Sequence, residues 1–394
     1  MKFFWNNTTQ IGFGENAVKD HLPKFVKPNS RILCTFGGGS IDKNGARKDV
    51  QEALDALKCE VRWEGGIPPN PEYDRLIEIV DIVKTWKPDL LLAVGGGSVL
   101  DGTKFIAVAS MQPEGTDLWD TVCVKQNAKD VHWPLASVMT LPATGSEWNN
   151  GFVVSRRSQG WKVGCVGYTA YPEFSLLDPR YTMTLPVRQL RNGIFDAFCH
   201  CVDAFLTPLE TPMFDDFWMS VCKELVTIGV PLLQPNSSLE LHSRLIVAAS
   251  FALNYILGLG QEQCWAIHQI GHMLTAKYDI DHGTSLAMCM PHFMETQFEQ
   301  RKVKFAKMAE FVFGVKEGTV DEKARALIQK ITQWRDDLGI PGIVSRWEGA
   351  KISPGDADEL AKKAIQQSGH GQNLGFRGCC TEDVAREVLK KVIV

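Results

Sequence analysis

Residues 90–107 read LLLAVGGGSVLDGTKFIA, and the order of residue types in this stretch decides the fold. Leu90 to Val94 is a short apolar run without polar alternation, the pattern of a strand buried on both faces. Gly95, Gly96, Gly97 and Ser98 follow as a loop, and Val99 to Ser110 has helical spacing. A strand that passes through a glycine loop into a helix belongs to a parallel sheet with helices on its faces. Glycines let the backbone approach a phosphate, and the helix N-terminus adds free N–H groups and partial positive charge. The pattern is GGGSxxD rather than GxGxxG, so the usual dinucleotide fingerprint does not apply. Asp101 sits in the first helical turn. It is either a carboxylate favoured by the helix dipole or one that bonds a cofactor hydroxyl or a catalytic proton.

The same alternation extends to either side. Arg31 to Phe36 reads as a strand closed by Gly37, Gly38, Gly39 and Ser40, then a helix over Val50–Lys58 and a strand over Glu60–Trp63. A turn over Gly66–Pro71, a helix over Tyr73–Trp86 and strands over Leu135–Leu141 and Phe174–Leu177 follow. The loop Thr140–Glu147, rich in hydroxyls and small residues, is placed to close over a cofactor. In dinucleotide enzymes an acid near such a strand end bonds the ribose 2′-hydroxyl. Here the strand ends in Thr35-Phe36-Gly37 and the first acid is Asp42, which favours NADP over NAD.

Beyond Asp178-Pro179 and Leu185-Pro186 almost every segment has 3.6-residue apolar spacing and no strand is convincing. The expectation is an α/β nucleotide-binding domain over residues 1–184 and an all-helical domain over 185–394. A chain of 394 residues exceeds the size at which one core tends to split. The net charge of −4 and the lack of a basic block argue against nucleic acid and anionic membrane as partners. The apolar stretch Ile246–Gly260 is interrupted and reads as a buried helix rather than a membrane span. Eleven cysteines without a CxxC pair, and no secretory signal, read as reduced cytoplasmic thiols.

The helical half carries the second informative cluster. Asp196 and His200 are i and i+4 on one helix and share a face. His268 and His272 repeat that spacing, and His282 follows in a break after their helix. Three of the chain's nine histidines fall in this one stretch. A carboxylate with several imidazoles suits a divalent transition metal such as Fe(II) or Zn. Spacing alone leaves open which of His268 and His272 binds metal and which lines the pocket. Cys199 and Cys201 flank His200 but read as packing residues pointing off the ligand face.

Together these stretches resemble the iron-containing alcohol dehydrogenase family, in its NADPH-dependent butanol dehydrogenase and broad-range aldehyde reductase branch. The likeness runs through GGGSIDKNG (37–45), PPNPEYD (68–74), LLLAVGGGSVLDGTKFIA (90–107), TLPATGSEWNNG (140–151), SLLDPRYTMTLP (175–186), NGIFDAF (192–198) and CWAIHQIGHMLTAKYDIDHGTSLAMCMP (264–291). The resemblance implies a dehydroquinate synthase-like two-domain plan. It puts the metal on Asp196, His200, His268 and His282 and leaves His272 beside the substrate. It places nucleotide contacts on Gly38, Asn70, Gly97, Ser98, Thr140, Asn149 and Lys162, with Thr144 in the same loop and Asp101 close by. Read bare, Lys162 is a surface lysine. Relatives often carry Lys where this chain has Asp42, which weakens the NADP expectation and leaves Ser40 and Lys43 to hold it.

The implied activity is reversible hydride transfer between NAD(P)H and a small aldehyde or primary alcohol, with His272 or water carrying the proton and a homodimer as the assembly. A reference pKa of roughly 6.5 suits an imidazole to that task. An NAD-dependent diol or hydroxy-acid dehydrogenase of the same fold is the nearest rival. A dehydroquinate synthase-like lyase needs several bases for a phosphorylated substrate, and Lys277 is the only one between Phe251 and Gln300. Trp148, Phe152, Trp265 and Met273 are candidates for an apolar substrate pocket.

Overall fold

The computed structural model describes residues 2–166, 168–207, 209, 211–369 and 371–394. Its contacts divide it into Asn6–Pro186 and a second unit made of Val187–Val394 with the short stretch ending at Trp5. The expected boundary, after residue 184, lies two residues earlier, and the first few residues group with the helical unit rather than with the α/β one.

The α/β unit runs β1 (Gln10–Phe13), α1 (Ala17–Phe25), β2 (Arg31–Thr35), α2 (Ser40–Lys43), α3 (Ala46–Ala56), β3 (Glu60–Glu64), α4 (Tyr73–Trp86), β4 (Leu90–Gly96), α5 (Gly97–Ala109), β5 (Leu135–Leu141), β6 (Phe152–Arg156), β7 (Trp161–Cys165) and β8 (Phe174–Leu177). Six strands form one sheet in the order β1-β8-β5-β4-β2-β3, and every pairing is parallel. The parallel α/β sheet expected from residues 90–107 is therefore present. β4 is buried along its length, as its unalternating Leu-Leu-Leu-Ala-Val requires. Two cores cover the sheet, one built around α4 and α5 and one around α1 and α3.

The chain winds outward from β2 to β3, then returns to place β4 on the other side of β2 and continues to β5. The winding reverses between β2 and β4, and crevices at such a reversal, at the carboxyl ends of the strands, are where α/β sheets bind ligands. Both glycine loops, 37–39 and 95–97, lie at those strand ends. β6 and β7 form a separate antiparallel hairpin. Phe152, considered above for a substrate pocket, is instead part of the α/β core.

The second unit contains α6 (Val187–Phe205), α7 (Pro212–Leu232), α8 (Leu239–Ala252), α9 (Ala266–Tyr278), α10 (His282–Thr296), α11 (Phe298–Phe313), α12 (Val320–Asp337), α13 (Asp356–Gln367) and α14 (Glu382–Val392). Among the described residues it has no strand, only an isolated bridge between Leu374 and Cys380. The stretch Leu239–Gly258 is long and apolar enough to cross a membrane by composition, and half of it is buried within the protein. Its continuous helix ends at Ala252 after 14 residues, short of the roughly 20 that a span needs. Of the expected irregular stretch, residues 368–369 and 371–375 carry no helix, Phe376–Gly378 form a short 3₁₀ turn, and residue 370 lies outside the described set. Thr381 then caps α14 by accepting the Val384 N–H.

Candidate functional site

Three helices bring the histidines and Asp196 together. Asp196 and His200 lie one turn apart on α6, His268 is on α9, and His282 is the first residue of α10 rather than part of a break. Two glycines allow the helices to approach. A Cβ on Gly283 would stand 2.3 Å from the Asn192 carbonyl oxygen of α6, and one on Gly271 would stand 2.9 Å from the Leu286 side chain of α10. Asn192 ties the start of α10 to α6 through bonds to Asp281 (2.6 Å) and Thr284 (2.8 Å). Arg188 adds 2.5 and 2.7 Å bonds to the same Asp281 carboxylate.

The resulting geometry is that of a coordination shell. Asp196 Oδ1 lies 3.7 Å from His200 Nε2, 3.7 Å from His268 Nε2 and 3.6 Å from His282 Nε2. Ligands about 2.0–2.2 Å from one tetrahedral centre stand roughly 3.3–3.6 Å apart. Asp196, His268 and His282 present ligand atoms all within 4.8 Å of one another, with His200 stacked on His268 at 4.7 Å between ring centroids. His268 Nε2 is buried and makes no hydrogen bond, an atom that a metal ion would satisfy. These residues fit the implied divalent ion. His282 has 22% of its side chain exposed against 4% for His200 and Asp196, so the set opens at His282.

One further residue completes this shell and was missed in the sequence. Asp203 is fully buried and accepts from His268 Nδ1 at 2.7 Å and from the His268 backbone N–H at 3.2 Å. A proton held on Nδ1 leaves Nε2 as the ligating nitrogen. Asp196, His200 and Asp203 stand at i, i+4 and i+7 of one helix face, which is the sequence signal that could have found it. Cys199 is not turned wholly away, since its Sγ lies 3.9 Å from His268 Nδ1, on the side opposite the ligating atom. Burial holds the His200 pKa down to about 4, so its ring is neutral and ready to ligate at neutral pH. Burial alone would also lower His268, but the Asp196 and Asp203 carboxylates carry it up to about 8. Without metal, a proton therefore competes for His268 below that pH, and metal uptake is expected to strengthen as pH rises toward 8. Replacing Asp203 with Asn should weaken zinc affinity by about 10- to 100-fold with the fold intact, measured by chelator competition and circular dichroism. Unchanged affinity would remove Asp203 from the site.

His272 is buried one turn beyond His268, its ring 5.2 Å from that of His282. It therefore borders the ligand set. Trp265 lies edge-on to His200 and His268, and Met273 is buried.

In the α/β unit, several expected nucleotide residues form one hydrogen-bonded chain. Ser98 Oγ accepts the Asn70 N–H at 3.2 Å, and Lys162 Nζ donates to Asn70 Oδ1 at 2.9 Å. Lys162 is only 3% exposed, so the surface reading of it was wrong: β7 carries it inward to the loop that holds Asn70. Gly95, Gly96 and Gly97 are demanded by the protein's own packing. A Cβ on Gly97 would stand 2.4 Å from Thr144 Oγ1, and one on Gly96 2.9 Å from Leu141 Cβ. Gly38 and Gly39, by contrast, face open space. Gly96 is the β-region residue before α5, and no side chain caps that helix. Its N-terminal N–H groups thus fit a phosphate. Register between β4 and β5 slips at Gly95/Gly96, which pair with Met139 and Leu141 and leave Thr140 as the extra, buried residue.

The loop after β5 is held by a buried network that the sequence did not disclose. Lys104 Nζ donates to the Ser146 carbonyl (2.7 Å), Ser146 Oγ (2.8 Å), Asn149 Oδ1 (3.1 Å) and the Gly151 carbonyl (2.9 Å). Burial lowers its pKa to about 8 against the pull of Asp101 and Glu147. Asp101 accepts from Ser146 Oγ at 2.6 Å and from the Val153 N–H at 2.9 Å. Both its oxygens are thus engaged in bracing this loop, and burial raises its pKa. At the other loop, Arg47 packs over Phe36 and Trp63 with its guanidinium 5.1 and 4.7 Å from the ring centroids. Its Nη1 lies 3.7 Å from Asp42 Oδ1 and offsets that charge.

Residues 8–179 match the iron-containing alcohol dehydrogenase family, and residues 192–392 match the C-terminal part of the same family. The chain belongs to the iron-containing alcohol dehydrogenase family. It is 37% identical over 390 residues to the NADPH-dependent aldehyde reductase YqhD of Escherichia coli, covering 98% of each chain. It is 31% identical over 394 residues to NADH-dependent butanol dehydrogenase A of Clostridium acetobutylicum, covering 99% of each. A crystal structure of E. coli YqhD superposes with a TM-score of 0.92 at 36% identity, over 99% of this chain and 98% of that one. NADH-dependent butanol dehydrogenase A from Thermotoga maritima gives 0.91 at 27% identity, over 100% and 99%.

Proposed function

We propose that the protein is a metal-dependent aldehyde reductase and alcohol dehydrogenase that exchanges hydride between NADPH and a small aldehyde or primary alcohol. The observation that carries this reading is the shell of three Nε2 atoms at 3.6–3.7 Å around Asp196 Oδ1, with Asp203 behind His268. When bound, Fe(II) or Zn supplies Lewis-acid polarisation of a carbonyl oxygen and the dihydronicotinamide supplies hydride.

The residues do the rest. Asp196, His200, His268 and His282 hold the ion, and Asp203 fixes the His268 tautomer. His272 holds or moves the proton that the product oxygen needs. Gly37, Gly38, Gly39 and Ser40 after β2, and Gly95, Gly96, Gly97 and Ser98 after β4, approach the phosphates with the N-terminus of α5. Asn70, Lys162, Thr140, Thr144 and Asn149 orient the rest of the nucleotide, and Asp101 and Lys104 keep their loop in place. Nearby YqhD is NADPH-dependent by its name while the butanol dehydrogenases are NADH-dependent, so the nicotinamide preference of this chain rests on its own loop.

There Arg47 joins Ser40 and Lys43 as a cation able to reach a 2′-phosphate despite Asp42. Replacing Arg47 with Ala is expected to weaken NADPH about tenfold and NADH far less, the contribution of one charge-assisted hydrogen bond. Fluorescence titration with both nucleotides checks this, and equal losses would remove Arg47 from the specificity site. The lyase reading is disfavoured because Lys277 is engaged by Asp356 at 3.2 Å and Glu359 at 3.4 Å. A cytoplasmic homodimer accompanies the family reading. An aldehyde panel assayed with NADPH and NADH, on protein of measured metal content, tests the whole proposal. Absence of aldehyde-dependent NADPH oxidation by metal-loaded protein would refute it.

A further inference from the structure

Two thiols outside the ligand set lie side by side. Cys264 Sγ and Cys379 Sγ are 3.8 Å apart although 115 residues separate them in the chain. Cys264 is buried in the segment leading into α9, and Cys379 is half-buried beside the turn Phe376–Gly378. Gly375 makes room for the pair. Its φ is +76°, and a Cβ there would stand 2.9 Å from Cys379 Sγ and 3.1 Å from Cys264 Sγ. Leu374 and Cys380 exchange two backbone hydrogen bonds of 2.9 Å, which close this turn and hold Cys379 in place.

The pair is also linked to the ligand set. The Cys264 N–H donates to the Asp203 carbonyl at 3.1 Å, and the Asp203 carboxylate holds His268 Nδ1 at 2.7 Å. The two sulfurs differ in the way that a reactive pair requires. The adjacent Cys264 thiol and the Arg301 charge hold Cys379 down to about 7 against burial, whereas Cys264 is raised well above the usual thiol range. The more accessible sulfur is the better thiolate, and the buried one stands ready to resolve it.

We propose that Cys264 and Cys379 are a reversible dithiol–disulfide couple whose oxidation loosens the hold of His268 on the metal. This rests on His268 being a ligand, but the cross-link itself does not. With a peroxide as oxidant, the Cys379 thiolate attacks one peroxide oxygen, the O–O bond breaks and a sulfenic acid forms with release of hydroxide. Cys264 then attacks the Cys379 sulfur, the S–O bond breaks and the disulfide forms. In sum, two thiols and one hydrogen peroxide give one disulfide and two waters, and two electrons pass from sulfur to oxygen. Closing 3.8 Å to a disulfide bond of about 2.05 Å draws the sulfurs together by roughly 1.8 Å. That displacement pulls on the Cys264 peptide and, through Asp203, on the imidazole that Asp203 orients. In a reducing compartment such a bond is transient, as redox-sensing disulfides are.

The test uses zinc-loaded full-length protein, so that peroxide meets no redox-active metal. Non-reducing peptide mapping after peroxide treatment is expected to show a Cys264–Cys379 cross-link that dithiothreitol reverses. Chelator competition is expected to show zinc affinity reduced about tenfold in the oxidised protein and restored on reduction, the scale of a disturbed second-layer contact. Cys379→Ser should abolish both effects with its reduced-state affinity unchanged, and Cys380→Ser should keep both. No cross-link, a cross-link between other cysteines, or this cross-link with unchanged zinc affinity would each overturn the proposal. If the reduced protein bound no zinc at the ligand set, the metal reading would fail first, which the reduced-state titration reports separately.

Discussion

His268→Ala is expected to yield protein without its divalent ion and with aldehyde reduction lowered by about a thousandfold or more. The scale follows from losing a Lewis acid worth several kcal/mol of charge stabilisation. The substitution removes Nε2, the buried atom with no hydrogen bond, from a shell in which it stands 3.7 Å from Asp196 Oδ1. It also deprives the fully buried Asp203 of its 2.7 Å partner, which costs about 1–3 kcal/mol of stability by itself. Metal analysis, turnover and thermal melts in excess chelator separate the two effects. In chelator the melting difference reports the lost Asp203 partner together with the lost packing of the buried imidazole, whereas metal content reports the site. A variant that kept both its ion and most of its activity would show that the ion is held elsewhere.

His272→Gln is expected to act differently. Its ring borders the set at 5.2 Å from that of His282, one turn along α9 from His268. Glutamine keeps a polar side chain of similar reach but cannot take up and release a proton. If His272 carries the proton, kcat should fall by about a hundredfold or more while metal content and KM hold, because a general acid contributes roughly 10²–10⁴. The pH–rate profile should lose its imidazole limb. A rise in KM with kcat preserved would make His272 a substrate-positioning residue instead.

What could be read from the sequence divides along physical lines. The strand–loop–helix of residues 90–107 was legible because its signal is local: a buried strand must be apolar on both faces and a turn at a strand end favours glycine. Asp196, His200, His268 and His282 were visible through residue type and i, i+4 spacing, though the choice of His268 over His272 needed the resemblance. Asp203 was overlooked: its i+7 place on the Asp196 face is a weak signal until α9 brings an imidazole 2.7 Å away. The β6–β7 hairpin was missed because Arg156-Arg157-Ser158-Gln159 breaks any apolar alternation, and only Gly160, at φ +66°, marks the turn. Lys162 went with it: its burial follows from the hairpin's placement and from Asn70, 92 residues earlier. Lys104 and Arg47 drew no reading from the sequence, because their roles depend on partners elsewhere in the chain that no local pattern encodes.

The central claim is that one divalent ion sits among Asp196, His200, His268 and His282. Anomalous diffraction from crystals of zinc-loaded protein tests it most directly. The account predicts one peak about 2.0–2.2 Å from Asp196 Oδ1 and the three Nε2 atoms, with His268 Nδ1 still bonded to Asp203. A peak on the opposite side of the His268 ring, among Cys199, Asp203 and Nδ1, where a second trio of potential ligands also converges, would contradict it.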